Sequence, residues 1–111
     1  MEYQVSLGVC SKDGTRFPIG RIHSICWDSR DLISVSTGWT PLNEECIGPA
    51  NDFVSILEKG IFELTNHENS YFIFETTYGI GTIRETLLFY QSLLCDCQNY
   101  PFSDLYGTVV I

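Results

Sequence analysis

The residues able to do chemistry are few in this chain, and they are scattered. A histidine is the side chain best suited to acid–base work near neutral pH. His23 stands four residues before Trp27 in RIHSICW. No second histidine, cysteine or carboxylate at a suitable spacing accompanies it, so it reads as a histidine on a sheet face. His67 lies beside Glu68 in NHENS, which reads as a solvated turn tip. The five cysteines, Cys10, Cys26, Cys46, Cys95 and Cys97, are odd in number and irregularly spaced. Cys95 and Cys97 form CxC rather than CxxC, and no second pair lies at zinc-ligand spacing, so they read as small buried hydrophobes. Gly79-Ile80-Gly81 is a fragment of a phosphate-binding turn. It lacks the third glycine and the strand–helix context such turns need, so turn geometry accounts for it. GxSxG, HExxH, GxxxxGK[ST] and calcium-loop patterns are all missing. The expectation is a protein without catalytic residues, cofactor or metal, and not an enzyme.

Charge carries more information. Fourteen acids against six bases give a net charge of −8 and a pI near 4.4. From Gly60 onward there are six acids and one base, Arg84. With no basic stripe to neutralise phosphates, direct nucleic-acid binding is disfavoured. An acidic surface instead attracts cationic proteins, although negative charge also serves solubility alone. No apolar run reaches the roughly 18 residues of a membrane helix. The opening MEYQVSLGVCSKDG has neither a basic region nor a long apolar core, so no signal peptide is expected. Reduced thiols and a cytoplasmic location follow as expectations. At 111 residues the chain is expected to form a single domain.

Thr82 to Cys97, TIRETLLFYQSLLCDC, is the stretch that must organise the rest. Thr82 and Glu85 form a capping box, and Ile83, Leu87, Tyr90, Leu94 and Cys97 make an apolar stripe widened by Leu93 and Phe89. Leu88 and Cys95 fall outside that stripe. Either a loop or the C-terminal segment covers them, or a partner or second subunit does, the latter giving a homodimer. Around this helix the alternation predicts a strand over Glu2–Val9 and a turn at Asp13-Gly14. An irregular or edge segment follows at Arg16–Gly20, then a hairpin over Arg21–Thr37, its return strand LISVST. Gly38–Pro49 reads as a loop. Asn51–Lys59 reads as a short helix capped by Asn51 and ended by Gly60. A third hairpin pairs Ile61–Leu64 with Tyr71–Tyr78, and Leu105–Ile111 closes as a strand inside the sheet. The expected fold is α+β: a small, curved, mostly antiparallel sheet packed with two helices, in the order β-ββ-α-ββ-α-β.

Taken together, the size, the acidic half Gly60–Ile111 and the loop Trp39–Glu45 make the chain resemble small acidic bacterial toxin-immunity proteins of the contact-dependent growth inhibition type. The resemblance implies a protein that binds one cognate toxin, often a nuclease, and blocks its active site or substrate groove. Glu44, Glu45, Glu63, Glu68 and Glu75 would then meet the partner's lysines and arginines, while Trp39 anchors the complex. Trp39 tucked beneath its own loop is the ordinary alternative. Three further readings stand beside this one. The first is a phage-type acidic inhibitor of a nucleic-acid-binding protein. The second is a small-molecule-binding or enzymatic module whose pocket, between sheet and helices, is lined by Tyr71, Phe72, Phe74 and Tyr90. The third is a homodimer marked by Leu88 and Cys95.

Overall fold

A computed structural model of the chain describes residues 1–75 and 82–111, except the side chains of Glu44 and Glu45. Strand β1 (Glu2–Cys10) runs into β2 (Arg16–Cys26) through the Asp13-Gly14 turn. A 3-10 turn (Trp27–Ser29) leads to α1 (Arg30–Thr37), then to β3 (Glu44–Pro49) and α2 (Ala50–Asn66). Two 3-10 turns (Glu68–Ser70 and Phe72–Phe74) precede α3 (Ile83–Asn99), and β4 (Asp104–Val110) ends the order. The fold is α+β, as the periodicity predicts. Its four strands form one open antiparallel sheet in the order β2-β1-β4-β3, with β4 inside the sheet.

The pleat sends Tyr3, Val5 and Leu7 of β1 toward the helices, beside Leu105 of β4 and Ile25 of β2. This is the period-two burial expected of a half-covered strand. In α3 the cap forms as predicted: the Thr82 hydroxyl oxygen accepts from the Glu85 backbone N–H at 3.2 Å. Glu75 adds a second, unforeseen cap by accepting from the Ile83 N–H at 2.7 Å. Two of the orphan donors that open every helix are thereby satisfied. The buried arc of α3 is Ile83, Thr86, Phe89, Tyr90, Leu93 and Cys97, rotated from the predicted stripe so that Leu87 and Leu94 are only half-buried.

Three predicted elements are corrected. LISVST is not a strand but most of α1. Its β-branched residues invite a strand reading, yet Leu32, Ile33, Ser36 and Thr37 are buried at helical spacing. The Ser36 and Thr37 hydroxyls bond back to the Ile33 carbonyl, and Gly38, at φ +81°, supplies the left-handed cap. The strand that pairs with β1 is instead the whole of Arg16–Cys26, so of the two readings for Arg16–Gly20 it is the edge segment that the structure has.

Gly60 does not end the second helix, which continues to Asn66 as one 17-residue element and removes the third hairpin. Gly60 is buried, and a Cβ there would lie 2.6 Å from Tyr90 Cε2 and 2.7 Å from Thr37 Cγ2. The glycine thus lets α1, α2 and α3 approach closely. Asn51 is not the cap either. The helix begins at Ala50, whose N–H donates to the Ser103 carbonyl at 2.8 Å. Tyr71–Glu75 is 3-10 and bend rather than strand, and the rest of that predicted strand lies outside the described residues, as does Gly79-Ile80-Gly81.

Candidate functional site

Trp39, the predicted anchor, faces inward. Its ring meets Phe53 edge-on at 5.3 Å and lies 6.0 Å from the ring of buried Tyr3. The Tyr3 hydroxyl in turn holds the Leu42 carbonyl at 2.8 Å. The tryptophan fixes the Gly38–Asn43 loop to the core, which is the ordinary alternative for it. Glu44 and Glu45 open β3, an edge strand, so the predicted loop there is a strand from Glu44 onward; their side chains lie outside what is described.

Two other predicted contacts are engaged within the fold. Glu63 accepts from the Tyr71 hydroxyl at 3.0 Å, and burial together with that carboxylate raises the Tyr71 hydroxyl above its ordinary range. Glu75 caps α3, as above. Glu68 is exposed on its 3-10 turn. Of the six residues, Trp39, Glu63 and Glu75 are half-buried and engaged within the fold, and Glu68 alone of those with described side chains is exposed. Asp52 and Glu58, on the outer face of α2, are equally exposed. The pocket predicted from Tyr71, Phe72, Phe74 and Tyr90 also fails. Tyr90 is fully buried with its hydroxyl 2.6 Å from Ser36 Oγ, while Phe72 is exposed.

A different cluster is assembled where β2 meets α3. His23 is buried, at 4% exposure. Its Nε2 lies 2.7 Å from Asp96 Oδ2 and its Nδ1 lies 2.9 Å from Ser92 Oγ. The carboxylate can only accept, so Nε2 carries the proton, and in the neutral ring Nδ1 accepts from the serine hydroxyl. The same Asp96 oxygen takes the Arg21 backbone N–H at 2.9 Å. Here β2 bulges, with three of its residues, Gly20, Arg21 and Ile22, facing one of β1, Ser6, between the Val5–His23 and Leu7–Ile19 pairs. Gly20 sits in the bulge at φ +71°, where a Cβ would lie 2.8 Å from Asp96 Oδ2. The bulge, the glycine and the carboxylate are one device that ties the edge strand to the helix.

This cluster borders an open cleft of about 400 Å³ between β2 and α3. Ser92 and His23 form part of its wall, Ile22, Leu88 and Phe89 are its apolar surface, and Glu2 and Glu85 bring carboxylates. No lysine or arginine lines it. Leu88 is 56% exposed and Ile22 66%. The flank of α3, expected to lie under a loop, the C-terminal segment or a partner, is not covered by the C-terminal strand, because β4 is seated between β1 and β3.

The sequence contained one clue to this cluster. Asp96 adjoins Cys97 in the buried arc, and a buried carboxylate needs donors. By helical period alone Asp96 falls with Glu85 and Ser92 on the polar back of the helix. The remaining relation, 69 residues from His23 to Ser92, has no local signature.

Among the described residues, no group of three or more histidines, cysteines and acids is arranged to hold a metal, and no helix is long and apolar enough to cross a membrane. Compared with models of protein families, with curated proteins and with solved structures, the chain gives no match.

Proposed function

We propose that this protein is an inhibitor of the immunity type, which binds and neutralises a cognate basic toxin, a nuclease being the partner whose cationic surface fits best. The observation that carries the reading is the net charge of −8 combined with carboxylates left on the surface, among them Asp52, Glu58 and Glu68. Such a field accelerates encounter with a positive partner and disfavours phosphate. A homodimer through the Leu88 flank belongs to the same class of binding role.

Capture from the native source at low salt, followed by a high-salt wash, tests the reading. One basic protein should be retained, and its association rate should fall at least tenfold between roughly 50 and 500 mM salt. No basic partner at any salt, or a rate indifferent to salt, would remove the proposal.

A second reading has one observation behind it: Ser92 Oγ, polarised by His23 and Asp96, borders a cleft. That arrangement suits attack on an ester or similar acyl group. An active-site-directed fluorophosphonate should then label Ser92 in the native chain and not in His23→Ala. An unlabelled Ser92 would dispose of this alternative.

A further inference from the structure

An open sheet has two edges, and an unguarded edge invites another strand. On the far side, β3 is short, irregular in its pairing, opened by Glu44-Glu45 and closed by Pro49. The first half of β2 carries Arg16 and Pro18 and ends in the bulge at Gly20. These are recognised means of blunting an edge. The second half, His23–Cys26, has none of them. It pairs in regular register with Glu2–Val5 of β1 on its inner side, and no described strand pairs with its outer side.

The unguarded segment is also the floor of the cleft. Exposed Ile22 and Leu88 form its apolar lips, and two carboxylates sit in its wall with no lysine or arginine among the lining residues. The Ser92–His23–Asp96 bonds hold this strand against α3, so the cleft is pre-formed rather than assembled on binding.

We infer that the free edge of β2 over His23–Cys26, with Ile22, Leu88, Glu2 and Glu85, is a docking site for one extended segment of a partner protein that alternates apolar residues with lysine or arginine. The segment joins the sheet as a fifth strand. Its backbone pairs with the outer N–H and C=O groups of β2, its apolar side chains settle between Ile22 and Leu88, and its cations meet the two carboxylates. This site deepens the inhibitor reading and rests on it for the partner's identity: the diffuse acidic field steers, and this edge holds.

The test uses the whole isotope-labelled protein and two synthetic probes, an alternating lysine–valine octapeptide and an alternating glutamate–valine octapeptide. The lysine peptide should shift the amide signals of Ile22–Cys26 and Leu88, and should slow hydrogen exchange of at least one β2 amide tenfold or more. The glutamate peptide should do neither. Replacing both exposed lip residues, Ile22→Lys with Leu88→Lys, should weaken the lysine peptide at least tenfold. Phe62→Lys, on the exposed face of α2, should leave binding unchanged. Signal shifts centred on Phe62, no shifts at all, or binding indifferent to the lip substitutions would overturn the inference. If the peptide seats at the edge but no basic protein is captured from the source, the inhibitor reading fails alone. If a basic protein is captured with the same affinity by the lip variant, the edge site fails alone.

Discussion

Asp96 is the residue on which most converges, since one carboxylate oxygen serves both His23 and the Arg21 backbone N–H in a buried setting. Removing it strands two donors at once. Asp96→Ala should therefore cost about 2–4 kcal/mol in urea unfolding; a loss under about 1 kcal/mol would mean the staple contributes little. Its neighbour Cys97 is the one buried thiol among the five cysteines. Burial, with the Asp96 charge second, pushes the Cys97 thiol from an ordinary 9.0 up to about 12. In native protein near pH 8, a disulfide reagent should modify exposed Cys10, Cys46 and Cys95 within minutes and reach Cys97 only on unfolding. The sign for stability follows. A folded value above the unfolded one gives a contribution that is complete below pH 9 and lost as the pH rises from 9 toward 12. Unfolding titrations at pH 8 and pH 11 should show the decline, and Cys97→Ala should lessen it.

At the scale of elements, local signals were readable wherever local physics decides. Strict alternation gave β1, the Thr82–Glu85 cap gave the start of α3, and β4 was placed correctly inside the sheet. The failures share one cause: a residue type with a local preference was overruled by what it packs on. Ile33, Val35 and Thr37 favour a strand by type, but the buried face of α1 repeats with helical period. Gly60 favours a stop by type, yet it is where three helices touch. The candidate site was hidden for the same reason. Glu63 and Glu75 counted as surface charge in the sequence but turn to Tyr71 and to the start of α3. Gly60→Ala separates these effects. Propensity alone predicts a gain of about 1 kcal/mol. The contact with buried Tyr90 predicts a net loss of about 1–3 kcal/mol, which thermal unfolding would read directly; a rise in Tm would refute the close-approach account.

For the molecule as a whole, a charge of −8 on 111 residues makes the folded state repel itself. Raising salt from about 20 to 300 mM should increase Tm by a few degrees, of the order that 0.5–1 kcal/mol produces in a domain this size. The same salt should weaken the proposed partner association, so folding and binding would respond with opposite sign; a Tm that falls on adding salt would count against self-repulsion. The sheet order has a mechanical corollary. β1 and β4 lie side by side at the centre, with Glu2 opposite Val110, so the two described ends of the chain emerge together. A force applied between them does not shear seven rungs at once but opens the ladder one rung at a time, like a zipper drawn from its slider. The sheet then gives way from its middle, leaving the β1–β2 hairpin and the short edge strand β3 as separate fragments. Pulled between Glu2 and Val110, the protein should therefore yield at low force, unless a bound partner holds the sheet closed.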